Sequence, residues 1–298
     1  MQRTITLDPP PDLRLSLGHL NGGTTHPDRP LTATSGWRAS RAPTGPATLR
    51  LAVTGTSITA SAWGPGAEWA LHHLPDLLGA GDDPDSFPTN NHRLMRQLKG
   101  KFRGLRIART ERVHEAIVPV ILGQVVTRTE AKRAERRLNE TYGEAAPGPE
   151  PLRLQPAPGV LGRLQYEDFH PLGIARNKAG LIIDVSRRAA RLEEITAMEP
   201  DAANKRLRAI KGIGPWSSAL VMSEALGDPD AVPVGDYHLP NTVAWALAGE
   251  ARATDARMLE LLEPFRPHRY RAALMLKLSG TGAPKYGPRT GVRSFAQF

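Results

Sequence analysis

Residues 207–222, LRAIKGIGPWSSALVM, limit the possible fold of this chain more than any other stretch. The spacing predicts an amphipathic helix ending near Lys211, a glycine turn, and a second helix opened by Pro215. Glycine at 212 and 214 permits positive φ and close backbone approach, and proline is harmless at a first helical position, where its missing N–H has no intrahelical partner. Ile213 lies between the glycines, placed to plug the junction of the two helices. Amides around Lys211, Gly212, Ile213 and Gly214 then face outward at a helix start, a natural seat for a phosphate. Backbone carbonyls of the same turn suit a monovalent cation. Taken alone, a Gly-x-Gly triplet is an ordinary helix connection. What adds to it is VGDYH at 234–238, which returns one carboxylate, Asp236, soon after the second helix.

Charge points the same way. The chain carries 39 Lys+Arg against 30 Asp+Glu, a formal net charge of +9, and an excess of this kind fits a polyanionic partner. It fits a generic basic protein equally. The 298 residues contain no cysteine, which excludes disulfides, thiolate nucleophiles, zinc on sulfur and iron–sulfur clusters. None of the nine histidines stands at the i, i+4 spacing with Glu used by zinc hydrolases. The first residues lack the apolar core of a secretory signal, and no run approaches the ~20 apolar residues of a membrane span. A cytoplasmic protein without membrane contact is expected.

Along the chain the texture changes twice. Short, partly alternating runs at 4–7, 13–17, 47–53 and 57–62, separated by proline and glycine turns, predict an antiparallel sheet, with one helix over 69–78 packed on it. A loop over 79–91 leads to a basic stretch from His92 to Arg109 that reads as a solvated helix face or as the entrance to a nucleic-acid cleft. From Glu111 the pattern is helical: a stripe from Val113 to Ile121 that Pro119 interrupts or kinks, a charged helix over 129–142 with Ala131, Ala134, Leu138 and Tyr142 inward, a proline-rich connector over 145–159, and one helix over 177–192. Pro200 opens the helix leading into the glycine turn, and further helices are expected at 242–247, 255–262 and 269–278. Tyr166 and Trp245 read as core.

The glycine turn with Pro215, Trp216 and Asp236 resembles the helix-hairpin-helix motif, with its Gly-Pro/Asp signature, of the base-excision DNA glycosylase superfamily, and within it the bacterial 3-methyladenine DNA glycosylase II type. ILGQVVT at 121–127, PLGIARNKA at 171–179 and RPHRYRAA at 266–273 resemble further stretches of that type. The likeness is strong over about 110–280 and loose over the first hundred residues.

The resemblance implies a mainly α, two-lobed helical core with an N-terminal antiparallel α+β domain. Residues 1–90 would form that sheet domain and 110–228 the lobe holding the helix-hairpin-helix at about 200–226. Residues 91–109 plus 229–280 would form the second lobe, and 281–298 a basic tail. It implies a monomeric, nucleoid-associated DNA repair enzyme on double-stranded DNA. Such an enzyme flips and excises alkylated bases of the 3-methyladenine and 7-methylguanine kind, and it needs no cofactor. In this reading Asp236 is catalytic, Trp216 and Tyr237 form the base-stacking pocket, and the hairpin from Lys211 to Gly214 binds DNA phosphate. Na+ or K+ would sit on the carbonyls of Arg208, Ile210 and Ile213 only when DNA is bound. Val125 falls at the wedge position that fills the gap left by a flipped base, the other reading being a core valine. His238 would touch phosphate or cap the next helix.

Relatives with a lysine two places after the second hairpin glycine use it as an amine nucleophile; Trp216 stands there, so no lyase step is expected. Leu220, and Leu276 with Leu278, occupy places where relatives carry aromatics, which puts the lesion preference in doubt. The competing readings are a glycosylase for deaminated or oxidised bases and a helix-hairpin-helix protein that binds DNA without chemistry.

Overall fold

A computed structural model describes residues 1–25, 30–89 and 92–282; most of the expected tail lies outside them. Five strands form one antiparallel sheet in the order β1-β5-β4-β3-β2: β1 Gln2–Thr6, β2 Thr24–Thr25, β3 Ser35–Ala42, β4 Gly45–Thr54 and β5 Ser57–Trp63. Thr54 pairs with Ser57, so Gly55 and Thr56 alone make the β4–β5 turn, and Gly55 takes the positive φ (60°) that such a turn requires.

One face of the sheet carries Leu49, Leu51, Ile58, Ala60 and Ala62 into a core shared with α1 (Leu13–Leu17), α2 (Ala67–His72) and α3 (Leu74–Leu77). Residues 13–17 are therefore a helix and not the expected strand. The period-two leucines mislead there: Asp12 accepts from the Leu15 amide at 2.9 Å and starts a helix whose buried positions are Leu13, Ser16 and Leu17, at i, i+3 and i+4. The helix expected over 69–78 is split at His73, because Pro75 falls in the first turn of a new helix. Strand β3 has no apolar alternation. Its Arg38 is buried against Glu115 at 3.4 Å, a tertiary pairing that no local pattern signals.

The rest is helical: α4 Arg93–Lys101, α5 Val113–Gly123, α6 Arg128–Tyr142, α7 Pro158–Leu161, α8 Tyr166–Phe169, α9 Arg176–Arg187, α10 Ala189–Glu193, α11 Pro200–Arg208, α12 Pro215–Val221 running into a π turn at Met222–Leu226, α13 Leu239–Ala248, α14 Asp255–Leu262 and α15 Arg269–Leu278. Helix α5 continues through Pro119 and is buried over nearly its whole length. The helix expected over 177–192 breaks at Arg188. In α6 Ala134 and Leu138 are buried, while Ala131 and Tyr142 are half-buried.

Two larger, helical cores follow. The larger joins α5 to Ile182 and Val185 of α9, Leu207 of α11, Ile213 and Val221. The other joins Met95, Leu98, Phe102, Leu105 and Ile107 to Val243, Met258, Leu262 and Met275. The sheet is tied to the helices by Glu224, whose carboxylate accepts from the amides of Asn21 (2.7 Å) and Gly22 (2.6 Å); burial pushes its pKa up. Among the described residues no helix is long and apolar enough to cross a membrane.

Candidate active site

Three helix ends meet at the site. The first is the hairpin. Helix α11 ends at Arg208, and Gly212 turns the chain at φ +98° beside Leu181. Ile213 is buried in the helical core, and its N–H bonds the Ile210 carbonyl at 3.0 Å. Gly214 is extended (φ −89°) and caps α12, whose first residue is Pro215. The positive φ expected of both glycines is thus needed only at 212. Lys211 and Gly212 are exposed, as is Arg208.

The second end is the C-terminus of α5. Gln124 caps it and donates from Nε2 to the Gly212 carbonyl and to Ser217 Oγ, both at 2.9 Å. The next residue, Val125, is fully exposed and left-handed (φ +53°), which rules out an ordinary core valine. Behind it Lys178 donates to the Leu122 carbonyl at 2.8 Å, and burial pulls its amine down to about 8. A capping box between Thr127 and Glu130 then starts α6.

The third end is the N-terminus of α13. Asp236 Oδ1 accepts from the amides of His238 and Leu239, both at 2.9 Å, so the carboxylate caps this helix from the preceding turn. His238 holds the N-cap place and makes no side-chain cap bond. Asp236 Oδ2 accepts from Trp216 Nε1 at 3.3 Å, which fixes the indole edge against the acid. Both side chains are half-buried. The Trp216 ring lies close to Gly123, where a Cβ would stand 3.5 Å from Cη2.

The structure therefore brings Trp216, Asp236 and the hairpin together and places Val125 one residue beyond the side chain that binds the hairpin. Tyr237, next to Asp236, is 87% exposed and meets His238 edge-on at 4.9 Å. Tyr166 and Trp245 are half-buried; Tyr166 packs on the helical core beneath the Arg176 guanidinium, 4.1 Å from its ring centroid. Leu220 is half-buried and Leu276 is buried. Two small cavities, one beside Lys178 and one beside Phe102 and Arg271, lie away from Asp236. Sequence reasoning missed Gln124 as a functional candidate. The only signal was its place in ILGQVVT, since its partners lie 88 and 93 residues away.

No protein-family model matches the chain. Over 168 residues it is 27% identical to YfjP of Bacillus subtilis, provisionally named a DNA-3-methyladenine glycosylase; the match takes in 55% of this chain and 58% of that protein. It is 25% identical over 178 residues to the DNA-3-methyladenine glycosylase of the same organism, with 58% of this chain and 59% of that protein covered. The chain thus spans less than two thirds of the length of these curated relatives. Among solved structures, the 3-methyladenine DNA-glycosylase of Archaeoglobus fulgidus superposes with a TM-score of 0.77 at 19% identity, covering 93% of this chain and 97% of that one. In its fold, and over somewhat more than half of its sequence, the chain resembles DNA glycosylases of the 3-methyladenine type.

Proposed function

We propose that the chain is a monofunctional DNA glycosylase that flips alkylated bases out of double-stranded DNA and hydrolyses their glycosidic bond. The observation that carries this reading is the carboxylate of Asp236, held half-exposed by the α13 amides and by Trp216 beside a hairpin suited to phosphate. A protein that only bound a polyanion would gain nothing from an anion in that place. The sheet with its helices reads as an N-terminal domain. The two helical cores read as lobes, the second built from residues 91–109 together with 229–280.

In this mechanism the hairpin amides from Lys211 to Gly214 grip the strand, and Val125 fills the space left by the extruded base. A base alkylated on a ring nitrogen is cationic; it stacks on Trp216 for roughly 0.5–2 kcal/mol and is already a good leaving group. As its bond to C1′ breaks, positive charge grows on the sugar, and Asp236 stabilises that charge and orients the attacking water. Water adds at C1′, its proton is lost to solvent, and the free base departs. No side-chain amine stands where a lyase needs one, because position 216 is Trp and Lys211 is exposed on the other side of the turn. The carbonyls of Arg208, Ile210 and Ile213 offer hard oxygen donors suited to Na+ or K+, although that of Ile210 already accepts one bond. An ion held there would add positive charge beside a bound phosphate.

The test is base release from methylated duplex by the native protein and by Asp236→Asn, with hypoxanthine and uracil duplexes in parallel. Native protein should release 3-methyladenine or 7-methylguanine, and the variant should bind the duplex but release neither. Equal release by both proteins, or none by the native one, refutes the reading.

A further inference from the structure

We infer that Gln124 is a positioning residue, locking the end of α5 to the hairpin so that Val125 is held outward in its left-handed conformation. The inference rests on the glycosylase reading for its consequence in catalysis, but not for its geometry. A primary amide has two N–H donors. One Nε2 contact goes to the carbonyl of Gly212, the residue at the sharpest point of the hairpin, and the other to Ser217, a buried residue in the first turns of α12. One side chain thereby joins three pieces of backbone: the last turn of α5, the hairpin apex and the start of the helix that carries Trp216.

The neighbouring residue shows why such a lock is needed. A β-branched residue does not rest at positive φ unless its surroundings hold it there. Val125 has no burial of its own to do so, being fully exposed. The restraint must come from the backbone on either side. Downstream the Thr127–Glu130 capping box fixes the start of α6, and upstream Lys178 holds the Leu122 carbonyl. Between these two anchors, the side chain of Gln124 is hydrogen-bonded across to the hairpin. The wedge and the phosphate grip are thus set in a fixed relation before DNA arrives, and a strand seated on the hairpin meets an apolar side chain already aimed at its stack.

Two measurements test this, one without DNA. In protein labelled at valine, the backbone chemical shifts of Val125 report its φ. Gln124→Ala, and the near-isosteric Gln124→Glu, which has no N–H donors, should move them from left-handed towards ordinary values while the melting curve stays cooperative. Unchanged shifts in both variants overturn the inference, whatever the enzyme does. The second is a double-mutant cycle on single-turnover base release. Gln124→Ala should slow release about tenfold beside Val125, and twofold or less in a Val125→Gly background, where there is no strained side chain left to hold. Equal slowing in the two backgrounds shows that Gln124 only supports the fold, and overturns its role in positioning. If the native protein released no base, the cycle would have no signal and the glycosylase reading would fall, while the chemical shifts would still decide the lock.

Discussion

Val125 allows strain and function to be separated by substitution. Its left-handed conformation (φ +53°) costs a non-glycine residue ~1–2 kcal/mol, more where the side chain is β-branched. Its full exposure means that the isopropyl group returns no burial energy in the free protein. Asparagine visits the left-handed region readily, so Val125→Asn should stabilise the DNA-free protein by roughly 1 kcal/mol. Val125→Gly relieves the same strain but loosens the unfolded chain by roughly 0.4–1 kcal/mol, so its net gain is smaller. For a chain of this size 1 kcal/mol is about 2 °C in melting temperature. The expected order of melting is therefore Asn above Gly, and Gly at or above the native valine. Activity should run the other way. If the valine is buried in the base stack during extrusion, its loss removes ~1.5–3 kcal/mol, a ten- to hundredfold drop in single-turnover base release. Thermal melts of the free protein and release from a methylated duplex measure the two effects independently. A lower melting temperature for Val125→Asn refutes the strain argument, and release within twofold of native refutes the wedge.

Two more expectations follow from backbone and burial. Gly212→Ala forces a Cβ onto φ +98° and to 2.9 Å from Leu181 Cδ2, so it should cost ~1–3 kcal/mol in thermal unfolding and weaken duplex binding; a melt and affinity equal to native would contradict it. His114 is buried with Nε2 on Ser186 Oγ at 2.9 Å, and burial, with Arg112 and Arg41 nearby, holds its pKa at about 3 against 6.5. Below pH 6.5 the unfolded chain therefore takes up a proton that the folded one refuses, and stability falls as pH drops towards 3, by about 1.4 kcal/mol per pH unit from this group. Denaturant titrations between pH 7 and 4 should show that slope reduced in His114→Gln, and parallel slopes would contradict the assignment.

What could be read from the sequence was local. Helices α14 and α15 run from Asp255 to Leu262 and from Arg269 to Leu278, as spacing predicts, and Pro200 and Pro215 both open helices. Proline, a threonine cap and an i, i+4 stripe act within one turn, so a short window contains their whole cause. What could not be read was tertiary. Strand β3 buries an arginine because a glutamate of α5 comes to meet it. The φ of Val125 is imposed by a side chain bonded to the far hairpin, and nothing in the composition of residues 121–127 encodes it. Asp236 was legible by its position after the second helix, but its two bonds to α13 were not, since they depend on where the next helix begins.

Those two bonds also explain why the site is built from helix ends. A helix terminus leaves amides or carbonyls without partners, so a residue there is constrained by backbone that must be satisfied. Asp236 gives one oxygen to the amides of α13 and keeps the other towards Trp216, so capping fixes the rotamer that the proposed chemistry needs. Gln124 ends α5 and spends its donors on the hairpin in the same way. Each functional group is thereby aimed by a structural debt of the fold, without a dedicated scaffold of its own. The consequence is that truncation confuses the two roles: removing the Asp236 carboxylate altogether takes away a cap worth ~1 kcal/mol together with the charge. An asparagine there keeps an oxygen for the α13 amides while presenting an N–H donor, not an acceptor, to the indole N–H, so it preserves the cap while removing the charge and the Trp216 bond together.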